Sequence, residues 1–277
     1  MSDTRERPIA VFDSGVGGLT VLHELLVALP HEDFVYLGDT ARFPYGTRTP
    51  EELREFSLEI AERLLGAGAK LLVVACNSAT AAALDVLEQR FGGEAGPGVI
   101  GVVGPESQLA VEATETGRVG LLATPATVAS GAYEQAVHAA DPHVQLTSVP
   151  CPDLAPIIQG GFPFDQRVVD TVRSYCEPLR DARVDTVILG CTHYPLVAPM
   201  LQRTLGRDVK LVTSGAAAAR RVEHALAARE NLNASEREGD YRFECTGDVE
   251  AFRELGTRFL QMPLLDVAHV DLERVAA

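Results

Sequence analysis

Nine short apolar runs alternate with longer stretches of helical period, and this alternation constrains the fold more than any other feature. The runs fall at 8–12, 33–37, 70–74, 98–103, 118–123, 144–149, 185–189, 209–212 and 241–245. Several are apolar at every position, as strands covered on both faces are, whereas strands with one wet face alternate. The segments between them carry helix-start signals. Thr49-Pro50-Glu51-Glu52 places a hydroxyl at an N-cap, proline at the first helical position and glutamate where a capping box needs it. Thr124-Pro125 repeats the opening. Such a strand–helix alternation predicts an α/β protein built on mainly parallel sheets flanked by helices.

In open α/β sheets, ligands bind beyond the carboxyl ends of the strands, so the residues just after each run are the candidates for chemistry. The run 70–74 is followed by Ala75-Cys76-Asn77-Ser78, and the run 185–189 by Gly190-Cys191-Thr192-His193. Aligned from Lys70 and Asp185, the two stretches match: a charged start, an apolar strand, a small residue, a thiol, a small polar residue. The echo predicts two related halves, each delivering one cysteine. The first strand ends in Asp13-Ser14-Gly15-Val16-Gly17-Gly18, which is neither a dinucleotide fingerprint nor a P-loop. It reads as a tight strand-to-helix turn whose amides can also hold a carboxylate. The second leads into a long proline-stiffened loop containing Tyr45 and Gly46; Asp39 in it reads as a turn cap.

Composition removes several classes. With 39 acidic residues against 24 Lys+Arg, the net charge of −15 lacks the basic footprint of a nucleic-acid binder. It also means that an anionic substrate must be held by local donors against the global field. No apolar run reaches the roughly 18–20 residues of a membrane span. The first eight residues, MSDTRERP, contain no apolar core, so no secretory signal is expected. Five cysteines without a C-x-x-C pair then read as free thiols of a reducing cytoplasm. Cys151, Cys176 and Cys245 are expected to be structural, and no metal site is expected from Cys191-x-His193 alone. The two lysines, Lys70 and Lys210, each precede an apolar run. They therefore lie at the wrong strand ends for a pyridoxal Schiff base.

Two thiols closing on a cleft from two halves can take a proton from one face of a carbon and return one to the other. One thiol with His193 could instead form an acyl-enzyme, and a two-lobed α/β receptor could bind a ligand without using either sulfur. A free thiol near pKa 8.5 costs about 2 kcal/mol to ionise at pH 7. A helix N-terminus and polar neighbours, here Asn77-Ser78 and Thr192-His193, are expected to lower that cost.

The stretches IAVFDSGVGGLTVL, YLGDTARFPYGTRTPEEL, ACNSATA and LGCTHYPL together resemble the cofactor-independent aspartate/glutamate racemase superfamily, and within it the glutamate racemases. The resemblance runs from residue 9 to about 200 with the motifs in order. It implies interconversion of L- and D-glutamate without a cofactor or metal, supplying D-glutamate for peptidoglycan in the cytoplasm. It implies a small-molecule substrate, a homodimer, and no nucleic-acid or membrane partner. It implies two similar α/β domains, 1–100 plus 210–277 and 101–209, with the active site in the cleft between them. By motif position, Cys76 is implied as the base toward D-glutamate and Cys191 toward L-glutamate, with Asp13 and His193 as their assistants. Asp13, Ser14, Tyr45, Gly46, Asn77, Ser78, Thr192 and His193 are implied as substrate contacts. The chain departs from the pattern at Gln159, where relatives commonly carry glutamate, and at Thr213-Ser214-Gly215, where Asp-Ser-Ala is usual. Glutamine cannot exchange a proton, which puts acid–base help from that position in doubt.

Overall fold

The computed structural model describes residues 3–93, 96–161 and 165–272. The chain begins with β1 (Ile9–Asp13), α1 (Leu19–Ala28), β2 (Phe34–Gly38), α2 (Pro50–Gly66), β3 (Leu71–Val74), α3 (Asn77–Phe91), β4 (Val99–Gly101) and α4 (Val103–Ala113). It continues with β5 (Arg118–Ala123), α5 (Pro125–Ala129), α6 (Ala132–Ala140), β6 (Gln145–Pro150), α7 (Leu154–Gln159), α8 (Gln166–Asp181), β7 (Thr186–Gly190), α9 (Ala198–Leu205) and β8 (Lys210–Val212). It closes with α10 (Ser214–Ala228), β9 (Tyr241–Cys245), α11 (Val249–Leu260) and β10 (Val267–His269).

These strands make two sheets. One has six strands in the order β10-β9-β2-β1-β3-β4, the other four in the order β6-β5-β7-β8. Every pairing in both is parallel. The continuously apolar runs are the central strands: β1, β2, β3 and β7 are buried at every position. β6, at an edge, is partly exposed along most of its length. Physically, a central strand is covered by helices on both faces, so its positions are apolar except at strand ends such as Asp13 and Thr186. The expected parallel α/β architecture is therefore what the chain adopts, and each of the nine runs contributes a strand. The tenth, β10, is a three-residue edge strand with no apolar run to announce it.

The last segment returns to the first sheet, through β9 on β2. The crossing comes later than expected: β8 pairs with β7, so the chain leaves the second sheet after Val212 rather than at 209. At the junction, α10 packs on both α1 and α4. The anticipated capping box is present. Thr49 Oγ1 accepts from the Glu52 amide at 3.2 Å, and Glu52 Oε2 accepts from the Thr49 amide at 2.9 Å. Thr124 caps α5, accepting from the Thr127 amide. Among the described residues no helix is long and apolar enough to cross a membrane.

Candidate active site

The register of each sheet brings one thiol to its carboxyl edge. Pairing of Phe12 with Val74 sets Asp13 beside Ala75, one residue before Cys76. Pairing of Ala123 with Gly190 sets Thr124 beside Cys191. Both sulfurs then open onto one cavity. Its wall includes Ser14, Tyr45, Gly46, Cys76, Asn77 and Ser78 from the first sheet's loops. From the second come Thr124, Pro152, Ala155, Cys191, Thr192 and His193. All the residues expected from the sequence are brought together here except Asp13, which is fully buried one layer behind Ser14. All five cysteines are free and buried, and of these Cys76 and Cys191 line this cavity.

Asp13 shows what the glycine loop does. Its Oδ2 accepts from the Gly15 amide at 3.0 Å, and its Oδ1 accepts from Thr192 Oγ1 at 3.2 Å. The loop amides do hold a carboxylate, as expected, but it is the chain's own. The same hydrogen bond ties β1 to the loop after β7 in the second sheet. Burial nonetheless raises the Asp13 carboxyl, with the Gly15 and Gly18 amides and Thr192 pulling the other way.

Close approach accounts for the glycines. A Cβ on Gly17 would overlap the His193 ring and the Thr192 hydroxyl, and a Cβ on Gly46 would sit 2.6 Å from Thr124 Cβ. At both points the first sheet's loops touch the second sheet's directly, so the absent side chain is what lets the cavity close. Gly17→Ala is therefore expected to cut turnover at least about 10-fold and lower the thermal midpoint, overpacking typically costing about 1–3 kcal/mol. Steady-state kinetics beside a melting curve would check it; unchanged kcat contradicts the close-approach account.

The thiols depart from expectation in their acidity. Burial pushes Cys76 up to about 12, helped by the Asp13 carboxylate and opposed by the Ala79 amide and Ser14. Burial likewise holds Cys191 well above the usual thiol range, with the His193 amide opposing. The helix N-terminus of α3 does act in the expected direction, but loss of water outweighs it. Both sulfurs therefore stand as neutral thiols, and thiolate formation requires a compensating charge.

His193 is packed between two rings, Phe43 at 5.5 Å and Phe259 at 5.2 Å between centroids. Burial lowers it to about 4, so the imidazole is neutral at pH 7. Its Nε2 lies 2.9 Å from Gln159 Oε1 and its Nδ1 lies 4.0 Å from Cys191 Sγ. With the Gln159 oxygen as acceptor, Nε2 carries the proton and Nδ1 faces the thiol with a lone pair. Gln159, the departure from the resembled pattern, thus orients the histidine without being able to take a proton from it. Asp39 does not cap the turn as expected: it precedes the turn at 40–42, but its side chain makes no capping hydrogen bond. It accepts from the Tyr45 hydroxyl, from Arg42 Nε at 2.6 Å and from Thr246 Oγ1 at 2.8 Å, and Arg42 also pairs with Glu59. This network fixes the loop that carries Tyr45 and Gly46. Ser78, Thr124 and Thr127 hydroxyls form a triangle with sides of 2.9–3.0 Å, joining α3 to α5.

Sequence reading missed Thr124, Pro152 and Ala155 as wall residues. Thr124 carried a usable signal, since it follows a strand, but its capping role masked the second one.

Residues 18–222 match the family described as Asp/Glu/Hydantoin racemase. The chain belongs to this family. Among racemases of known sequence, it is 40% identical over 268 residues to glutamate racemase of Bacillus cereus, covering 97% of this chain and 98% of that protein. It is 44% identical over 282 residues to glutamate racemase of Beutenbergia cavernae, covering 99% and 94%. In structure, this racemase-family chain superposes on a glutamate racemase isoform from Bacillus anthracis with a TM-score of 0.91 and 36% identity, covering 97% and 98%. For the Francisella tularensis glutamate racemase in complex with D-glutamate the TM-score is 0.89 at 34% identity, covering 97% and 99%. An aspartate racemase from Picrophilus torridus, 16% identical with a TM-score of 0.57, shares the fold.

Proposed function

We propose that the protein is a glutamate racemase that inverts the α-carbon with Cys76 and Cys191 acting from opposite faces, without pyridoxal phosphate. The observation that carries the reading is that two free thiols, one from each sheet's carboxyl edge, line a single cavity. The extended identity to glutamate racemases of several bacteria supports the choice of substrate. In the proposed cycle, Cys191 takes the α-proton of L-glutamate while Cys76 delivers one to the other face; for D-glutamate the roles exchange. Entry of an α-ammonium supplies the positive charge that a buried thiol needs before it can ionise. First-turn amides of α3, the Ser14 hydroxyl, the Thr192 amide and a proton released from the Ser78–Thr124–Thr127 triangle are the donors proposed to hold the carboxylates against the net charge of −15. His193 Nδ1 is the proposed acceptor of the proton that Cys191 sheds on becoming a thiolate, and the Asp13 carboxylate, whose pKa burial raises, is the proposed acceptor of that from Cys76.

The same reading takes the first sheet with the C-terminal segment as one domain and the second sheet as the other. Their division is that expected from the sequence, 1–100 plus 210–277 and 101–209, except that residues 210–212, which form β8, go with the second. It places the protein in the cytoplasm as a homodimer, making D-glutamate for peptidoglycan.

Incubating single enantiomers of glutamate with the protein in deuterated water, without pyridoxal phosphate, tests it. Optical activity should decay while deuterium appears at the α-carbon. Absence of both overturns the proposal, and exchange with aspartate alone overturns the choice of substrate.

A further inference from the structure

Behind the cavity, four helices meet on one carboxyl group. Glu106 of α4 is fully buried, and its Oε2 accepts from the Tyr133 hydroxyl of α6 at 2.5 Å and the Ser214 hydroxyl of α10 at 3.0 Å. Asn77, next to Cys76 at the start of α3, completes the cluster. Its Nδ2 donates to Tyr133 Oη at 2.7 Å, with Glu106 Oε2 and Ser214 Oγ both at 3.2 Å. While Glu106 is ionised, the direction of these bonds is forced. A carboxylate oxygen only accepts, so both hydroxyls spend their protons on it and turn lone pairs to the amide. Burial pushes Glu106 up to about 8, against the pull of the three donors. A proton, when present, belongs on Oε1, because Oε2 is occupied by donors, and Oε2 remains an acceptor in both states.

We propose that Glu106 is a positioning residue of the cleft, which through Tyr133 and Ser214 locks the Asn77 carboxamide with its NH2 inward and its Oδ1 as the atom available to a ligand. Asn77 is on the cavity wall, and among the described residues its buried Oδ1 has no hydrogen-bond partner. A buried acceptor without a donor costs about 1–3 kcal/mol, and an incoming donor recovers it. On a glutamate with both carboxylates ionised the ammonium is the only donor. Asn77 Oδ1 is then a contact for the substrate ammonium, one residue from the thiol on that face. This last step rests on the proposed substrate; the locking of the amide does not.

The side-chain NH2 proton pair of Asn77, assigned in NMR spectra by its disappearance in Asn77→Ala, reads the lock in the protein without substrate. It should be shifted downfield and slow to exchange, and should lose both properties in Glu106→Leu. Tyr133→Phe, which keeps the volume and removes one relay, should weaken them as well and serves if Glu106→Leu does not fold. With glutamate as substrate, Glu106→Leu should raise KM about 10-fold with a smaller change in kcat, while Glu106→Gln, which keeps an acceptor, should stay within about 3-fold. Glu106→Leu should add nothing to the KM of Asn77→Ala, since coupled residues are not additive. An unchanged NH2 pair in both variants, or additive KM effects, overturns the proposal. A lost lock in a protein whose parent does not turn over glutamate upholds the positioning role and sinks the substrate reading instead.

Discussion

Replacing Cys76 with alanine should abolish racemisation of glutamate in both directions, and replacing Cys191 should do the same. General acid or base removal costs about 10²–10⁴-fold, and here each thiol serves as base in one direction and acid in the other. Neither direction can therefore survive the loss of one sulfur. Folding should be little affected, because alanine removes a single sulfur at a core position that already borders the cavity. The measurement is enantiomeric interconversion followed by polarimetry or chiral chromatography, beside a thermal melt. A single variant that racemises at the parental rate would refute the one-thiol-per-face scheme. The cavity's chemistry sharpens the expectation. Both thiols are held neutral by burial, so the reactive thiolate depends on charge delivered with the substrate, and no other thiol lines the cavity to take over.

The largest expected loss of stability lies at the opposite end of the first sheet. Lys70 Nζ pairs with Glu32 Oε2 at 2.6 Å, both side chains nearly inaccessible. The same ammonium donates to the Arg5 carbonyl at 2.7 Å and the Asn231 carbonyl at 2.9 Å, while Glu32 Oε1 accepts from the Asn233 amide at 2.8 Å. The pair thus pins the N-terminal segment and the connection from α10 to β9 beneath the strands. Lys70→Met should cost about 3–5 kcal/mol, because it leaves a carboxylate buried without its cation. In a chain of this size that is about a 10 °C fall in the thermal midpoint. The double variant Lys70→Met with Glu32→Leu should recover much of the loss, since an apolar pair leaves no orphan charge. Activity at 25 °C should persist in both variants, the cavity lying at the other strand ends. A Lys70→Met melt unchanged from the parent would show that the pair contributes nothing.

How much of this was legible in the residues varies with the range of the interaction. The central strands β1, β2, β3 and β7 were readable because a strand covered on both faces is almost wholly apolar, a local pattern, and the other five because shorter or mixed apolar runs recur between helical stretches. β10 was not, because an exposed three-residue edge strand has no such pattern and owes its existence to the neighbouring β9. Cys76 and Cys191 were readable because a strand-end position is itself a local fact, repeated in two places. Glu106 went unnoticed because nothing around it in the chain tells of Asn77, Tyr133 and Ser214, which reach it from three other helices.

The amino-acid order alone thus determined the parallel α/β class, the strand-end location of both thiols, the capped starts of α2 and α5, and the wrong-end position of the lysines. Tertiary structure decided the rest. It placed both sulfurs on one cavity, turned the glycine loop's amides onto Asp13, set Gly17 and Gly46 as contact points, and returned the C-terminal segment to the first sheet. It also reversed the expected acidity of the thiols. Local neighbours favour ionisation, but exclusion of water is a property of the whole packed cleft, and no stretch of sequence encodes it by itself.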